Sequence, residues 1–454
     1  MHRLEWLFDI FRRNPDRVFM IHQGVPVPYA WLLENIGLRS SQLENCGVKS
    51  GTVTALRGDY SPDIVAALLA LIDRGAIVAP MSPAAVVAQE SEFMEIAEVQ
   101  AVCSFGPALD GRPEWRPGQP GHPLNLELIR RGNPGLVLFS SGSTGKSKGS
   151  LHDFAQLLEK FKTPRRAMVT LTFLMIDHIG GINTLFYVLS NAGTLVVAHS
   201  RDTEAVCAAI AAHKVELLPT SPTFLNLLLV SEAYRQYDLS SLKLVTYGTE
   251  MMPQRTLDRL TELLPNVTFQ QTYGLSELGI LRSKSERSNS LWVKVGGEGF
   301  ETKIKDGALW IKAHSAMMGY FNAPSPFDED GWMNTGDMVE AQGDYVRFLG
   351  RASEIVNVGG RKVYPAEVED ALLAIPNVRD VTVSAEPHPI TGNIVVARFN
   401  LLKPEEVSSF RKRVREFCRG RLDAFKIPAR IEIVDADQFS GRFKKMRRKP
   451  PANP

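Results

Sequence analysis

Apolar residues recur at helical spacing from the first residues: Leu4, Leu7, Phe8 and Phe11 mark a short amphipathic helix, and residues 31–43 a longer one. Residues 53–56 read as a strand. Residues 64–72 are apolar at almost every position, the pattern of a helix buried on all sides. Residues 76–78 read as a second strand, its exit marked by Pro80, Ser82 and Pro83. Short apolar strands follow at 136–139, 195–197, 242–246 and 267–270, and the alternation predicts an α/β fold with a largely parallel sheet. After about Gly299 the texture changes. Strands at 302–304, 308–311 and 345–348, separated by Asp-Gly and Gly-Asp turns, predict antiparallel structure. From Arg351 a smaller series begins, with strands at 354–358, 378–384, 394–399 and 431–434 and helices at 366–373 and 404–421. A boundary near residues 350–353 therefore divides a large domain, 1–350, from a small one, 351–454. The tail from Arg442 is basic and then proline-rich, and is expected to be poorly ordered unless it docks.

Composition narrows the class. A chain of 454 residues exceeds what one core supports, in keeping with two domains. The net charge of +2 supplies no overall field for nucleic acid or a membrane surface. Cys46, Cys103, Cys207 and Cys418 lie far apart, without the paired spacing of zinc sites or disulfide frameworks. The amino terminus, MHRLEWLFDIFRR, carries charges among its apolar residues, unlike a signal peptide. The best apolar run, 64–72, is too short to span a bilayer. A soluble, cytoplasmic protein is expected, without nucleic-acid or integral-membrane contacts.

The strongest chemical signal is LVLFSSGSTGKSKG, residues 136–149. A strand delivers a loop of hydroxyls and glycines followed by two lysines. Glycines admit phosphate oxygens to backbone N–H groups, and lysine supplies charge. Gly145-Lys146-Ser147 matches the end of a Walker loop, but the first glycine of that pattern would fall on Ser140, so the match fails. Further segments follow in order: LIDRGAIVAP at 71–80, YGTE at 247–250, QTYGLSE at 271–277, GALWIK at 307–312, MGYFN at 318–322, WMNTGD at 332–337, and GRASEIVNVGGRKVYPAEVE at 350–369.

With these motifs in this order the chain resembles the adenylate-forming superfamily of acyl- and aryl-CoA synthetases, luciferases and peptide-synthetase adenylation domains, over essentially its whole length. The resemblance implies a large domain of parallel-rich sheets with helices plus a small β-barrel-like part, then a small mobile α+β domain hinged near 350–353. Ser353 stands where the family has its hinge residue, usually Asp or Lys. It also implies the reaction: a carboxylic acid attacks ATP to give acyl-AMP and pyrophosphate, and a thiol then takes the acyl group.

Residue by residue, the resemblance places Ser140, Ser141, Gly142, Ser143, Thr144, Gly145 and Lys148 at the phosphates, with Ser147 where a proline is usual. Gly248, Thr249 and Glu250 would line the adenine, with Thr272 and Gly274 beside them and Tyr273 stacked on the purine. Ser276 would meet the α-phosphate, and Glu277 would hold magnesium, a hard cation suited to carboxylate and phosphate oxygens. Asp337 would accept both ribose hydroxyls, with Arg351 nearby. His178, in FLMIDHIGG at 173–181, and Gly274 would border the acid pocket.

Two departures stand out. Ala308 replaces a glutamate of the family. Near the carboxyl terminus the family has Gly-Lys-Ile-x-Arg, whose lysine reaches the substrate carboxylate and α-phosphate; here the stretch is DQFSGRFKKMRR, residues 437–448. Aligning on the glycine puts Arg442 at the lysine position, counting without gaps puts Lys444 there, and the Lys-apolar-x-Arg texture puts Lys445 there. Lys444 or Lys445 is the expected catalytic group, because a guanidinium fork is a poor substitute for a point charge between two oxyanions. The place where amino-acid-activating relatives carry an ammonium-binding aspartate holds Ile179, which disfavours α-amino acids. An acid with an aliphatic or aromatic body is expected. Coenzyme A or an acyl carrier protein is the expected acceptor, and the basic segment 410–421 suits either. A degenerate member that binds nucleotide without turnover is the alternative of a different class.

Overall fold

The computed structural model describes residues 2–106, 109–141 and 147–447, without the side chains of 84–88 and 141. The expected buried helix is Pro62–Arg74. Ser61 caps it, its hydroxyl accepting from the Ile64 N–H at 3.2 Å, and Gly75 closes it in the left-handed conformation at φ 81°. Every residue from Ile64 to Ile72 is buried. This helix and helix Ile179–Ser190 share one core with apolar residues of two seven-stranded sheets. The two helices thus form a layer between the sheets, which explains why both are apolar nearly all round.

The first sheet runs Thr268–Gln271, Leu244–Tyr247, Leu217–Thr220, Val169–Leu171, Thr194–Val196, Val18–His22, Val25–Pro28, parallel except for its last pair. The second runs Gly319–Tyr320, Ser147–Asp153, Gly135–Ser141, Ile77–Met81, Val53–Arg57, Ala101–Gly106, Leu109–Trp115, with a parallel centre and antiparallel flanks. Pro80 lies inside strand Ile77–Met81 rather than after it. The pairing towards Gly135–Ser141 has ended by Val78, so the missing N–H of Pro80 leaves no bond unmade on that side.

The carboxyl ends of the two sheets abut. The Ser82 hydroxyl donates to Asp177 at 2.6 Å, Arg201 pairs with Asp59 at 3.2 Å, and the Tyr60 hydroxyl donates to the Gly181 carbonyl at 3.0 Å. A six-stranded antiparallel sheet, from Ser283–Ser285 to Tyr345–Arg351, packs beyond them. A short 3-10 turn, Ala352–Glu354, leads into a five-stranded sheet that starts at Val356 and carries helices Pro365–Leu372 and Val407–Cys418 over its own core. Among the described residues no helix is long and apolar enough to cross a membrane.

The helix layer carries the packing, so Leu68→Ala should destabilise the large domain by about 2–5 kcal/mol, read as a lowered denaturation midpoint. A loss below about 1 kcal/mol would show that the layer collapses around the cavity.

Candidate active site

Ligands of open parallel sheets bind outside the carboxyl ends of the strands, and the motifs gather there. Strands Leu244–Tyr247 and Thr268–Gln271 are parallel neighbours, so Gly248–Thr249–Glu250 and Thr272–Tyr273 leave the sheet side by side. The approach is close: a Cβ on Gly248 would lie 2.7 Å from the Thr272 carbonyl oxygen, so only glycine fits. Thr249 takes φ 73° to make the turn. Gly274 pairs with Ile280 in a tight two-residue ladder, and a Cβ there would lie 2.7 Å from the Gly279 carbonyl oxygen.

Tyr273 is buried with one ring face stacked on Phe348, centroids 4.6 Å apart. Its hydroxyl donates to Asp337 at 2.6 Å, and Arg351 Nε donates to the other carboxylate oxygen at 3.2 Å. Burial pushes the Asp337 carboxyl up from its ordinary range, while Arg351 and Tyr273 pull it back. The positions expected to face the purine and the ribose are thus joined by one hydrogen bond.

Glu277 and Lys148, expected at the metal and the phosphates, come together around Tyr320. Its hydroxyl donates to Glu277, and Lys148 Nζ lies over its ring at 5.0 Å. The strands flanking the glycine loop pair as far as Ser140 with Lys148 and Ser141 with Ser147. Asn322 clamps the returning strand, donating to the Ser147 carbonyl at 2.8 Å and accepting from the Gly149 N–H at 3.1 Å. Gly142, Ser143, Thr144 and Gly145 lie outside the described residues, as does the side chain of Ser141. Tyr320 and Asn322 were assigned no role from sequence, although their motif, MGYFN, was visible. Beneath Ser276, His152 is fully buried, its ring nitrogens unpartnered and facing the backbone of Ser276 and Ser315. Burial pulls its pKa down to about 4.

Magnesium fits this donor set. Glu277 offers one carboxylate, no cluster of three acidic, histidine or cysteine ligands occurs among the described residues, and one carboxylate plus substrate phosphates is how magnesium is commonly held.

His178 is the N-cap of helix Ile179–Ser190, its Nδ1 accepting from the Gly180 N–H at 3.0 Å. Burial, then the charges of Arg442 and Lys444, hold its pKa near 4, so it stands neutral at the pocket. Asp177 is buried, and beside Ser82 it receives Arg442 Nη2 at 3.3 Å.

The tail docks through residue 447 instead of trailing off. Residues 438–446 form a hairpin whose side chains alternate. Arg442 reaches Asp177, Phe443 enters an aromatic nest of Phe173, Phe224 and Phe439, and Lys444 sits near Arg351, Asp337 and His178. Burial first, then Arg351, pulls the Lys444 ammonium below the usual lysine range, against the pull of Glu250, Glu354 and Asp337. Lys445 turns the other way. Its ammonium lies in the small domain, 3.2 Å from Asp380 and 2.9 Å from the Val381 carbonyl, with Glu369 at 3.7 Å. The structure therefore brings Lys444 to the site and not Lys445, because that lysine answers buried carboxylates of its own domain. Both carboxylate oxygens of Glu250, expected to line the adenine, are engaged within the protein. They accept from the Thr223 N–H at 2.7 Å and the Lys445 N–H at 3.0 Å, joining helix Pro222–Ser231 to the tail. Burial raises the Glu250 pKa.

Residues 7–321 match the AMP-binding enzyme family, and residues 367–444 match the AMP-binding enzyme C-terminal domain. The chain belongs to the AMP-binding enzyme family. It is 24% identical to an indoleacetate–CoA ligase of Aromatoleum aromaticum, covering 96% of this chain and 94% of that one. It is also 24% identical to a 2-succinylbenzoate–CoA ligase of Bacillus licheniformis, over 99% of each. Its fold matches the crystal structure of the anthranilate CoA ligase AuaEII in complex with anthranoyl-AMP, at TM-score 0.81 and 19% identity, covering 97% of this chain and 95% of that one. The AMP-binding enzyme is thus an adenylate-forming protein of the AMP-forming acid–thiol ligase type.

The burial of both site histidines makes a checkable statement. A pKa near 4 keeps His152 and His178 neutral above that pH, so their ring resonances should stay constant between about pH 5 and 8, where an ordinary histidine titrates. Titration of either near pH 6.5 would show that its ring is solvated.

Proposed function

We propose that this enzyme joins a carboxylic acid with an aliphatic or aromatic body to AMP, using ATP and magnesium, and then passes the acyl group to coenzyme A. The observation that carries the reading is the convergence at one edge of Tyr273–Asp337–Arg351, Lys148–Tyr320–Glu277 and the tail cation Lys444. Asp337 and Tyr273 hold the nucleoside, and Lys148 and the glycine loop hold the phosphates. Glu277 would hold magnesium, which when bound would neutralise phosphate charge. The acid carboxylate attacks the α-phosphorus, pyrophosphate leaves, and Lys444 offsets the negative charge where two anions meet. The small domain then turns about residues 350–353, and a thiol attacks the acyl carbonyl with AMP as leaving group. Coenzyme A as acceptor is supported by the names of the relatives above.

A second reading, transfer to an acyl carrier protein, is favoured by helix Val407–Cys418. Phe410, Val414 and Cys418 are its buried stripe, while Lys412, Arg415 and the adjoining Arg419 are exposed to an acidic partner. Pyrophosphate exchange over a panel of acids, then acceptor assays with coenzyme A and carrier proteins, decides between them. No exchange with any acid would leave the degenerate reading.

Asp337→Asn should keep the fold and weaken ATP binding by about tenfold or more, the worth of charge-assisted bonds to the ribose, read by calorimetry. Unchanged affinity would sink the ribose assignment. Lys444→Ala should slow pyrophosphate release about a hundredfold or more while sparing transfer from synthetic acyl-AMP. Lys445→Ala should instead lower stability. If Arg442→Ala alone separates the two half-reactions, the guanidinium has taken the lysine's place.

A further inference from the structure

Asp177 joins three segments that lie far apart along the chain. One of its oxygens, Oδ2, accepts from the Ser82 hydroxyl at 2.6 Å and from Arg442 Nη2 at 3.3 Å. Ser82 follows strand Ile77–Met81 of the second sheet, and Asp177 itself precedes the His178 cap of helix Ile179–Ser190. Arg442 lies in the tail, beyond the small domain's last strand, Arg430–Ile433. Asp177 is 5% exposed, and its other oxygen, Oδ1, is buried without a partner. Among the described residues Arg442 is the one cation within pairing distance of Asp177, and Asp177 the one carboxylate within pairing distance of Arg442. A carboxylate taken out of water without a cation is costly, so the pair draws the tail onto the large domain at this point.

The path from Arg442 to Lys444 is short. Residues 440–443 form a turn in which the Phe443 N–H donates to the Ser440 carbonyl at 2.8 Å, and the Ser440 N–H donates to the Lys444 carbonyl at 2.9 Å. Phe443 takes φ 51°, a conformation that a bulky residue adopts only where its surroundings enforce it. Its ring packs against Phe173 and Phe224, with centroids 5.3 and 5.8 Å apart. On the far side of Lys444, the Lys445 N–H donates to Glu250 at 3.0 Å. The backbone that carries Lys444 is thus bracketed by two carboxylates of the large domain, one reached through Arg442 and one through Lys445.

We propose that Asp177 is a positioning residue for the first half-reaction: by receiving Arg442 it sets Lys444 where the acid meets the α-phosphate. The inference rests on the ligase reading above and adds to it a residue that acts through Lys444 rather than on the substrate. Displacing a charge-neutralising group by about 1 Å costs about a hundredfold in rate, so the anchor of the turn matters to the chemistry.

Rates of pyrophosphate release and of thioester formation from synthetic acyl-AMP test this in wild type, Asp177→Asn, Arg442→Gln, Arg442→Lys, Lys444→Ala and Asp177→Asn/Lys444→Ala. Asparagine matches aspartate in size and keeps an acceptor for Ser82, so the unfolding midpoint should change little. Arg442→Gln, at the more exposed partner, carries the same test if Asp177→Asn folds poorly. Asp177→Asn and Arg442→Gln should each lower kcat for pyrophosphate release about tenfold, the worth of one charge-assisted bond. The KM of the acid and the second half-reaction should stay near wild type. Arg442→Lys, which keeps the charge, should recover most of the loss. In the Lys444→Ala background Asp177→Asn should cost nothing further, because residues that act as a unit are not additive. Amide hydrogen exchange over residues 438–446 reads the docking without turnover, and it should quicken about tenfold in Asp177→Asn and Arg442→Gln. Pyrophosphate release at the wild-type rate in both variants, or a further loss in the Lys444→Ala background, overturns the inference and leaves the ligase reading standing. So does a raised KM for the acid with kcat unchanged, which would make Asp177 a wall of the acid pocket. No pyrophosphate release by wild type with any acid overturns the ligase reading. Quickened exchange in the variants then keeps Asp177 as the anchor of the tail, and unchanged exchange removes both.

Discussion

Two parallel-rich sheets can share one core only if the helices between them are apolar on both faces, and every feature of the site follows from that packing. Helix Pro62–Arg74 and helix Ile179–Ser190 meet the condition. Once they are buried, the carboxyl ends of the sheets have no freedom to separate. Ser82 meets Asp177, and Asp59 meets Arg201. The Gly248 and Tyr273 turns leave the carboxyl edge of the first sheet side by side. Gly248 is required by its neighbour turn in the same sheet, since a Cβ there would lie 2.7 Å from the Thr272 carbonyl oxygen.

The tail is the second consequence. A hairpin alternates its side chains, so neighbouring residues face opposite surroundings. Phe443 anchors it among aromatics of the large domain, Glu250 holds its backbone at Lys445, and Lys445 and Arg447 bind Glu369 in the small domain. Between these anchors Arg442 and Lys444 face the site. Arg442 pairs with Asp177, and Lys444 lies within the field of Arg351, Glu250, Glu354 and Asp337. These contacts join the hairpin to both domains.

Burial also sets the protonation states. It holds His152 and His178 neutral. Lys160 is bonded to Asn183 and the Ile280 carbonyl and has no carboxylate partner among the described residues.

Local pattern was enough to determine much of this protein. The all-apolar run 64–72 could only be a buried helix, and the glycine-rich loop, the QTYGLSE and the WMNTGD segments identified the chemistry, because those residue types serve few other purposes in that order. Strand ends were legible to within a few residues. Strand Ser147–Asp153 was not, since Lys148, Gly149 and Ser150 carry no period-two apolar signal and pair only because Gly135–Ser141 lies alongside. Neither was the fate of DQFSGRFKKMRR: three alignments were readable along the chain, and the chemistry of a point charge disfavoured only Arg442. The choice between Lys444 and Lys445 was made by Asp380 and Glu369, sixty or more residues away, which draw one ammonium into the small domain and leave the other at the site. Tertiary structure decided it because a charge goes where its desolvation is compensated, and the compensating carboxylates are neighbours only in three dimensions.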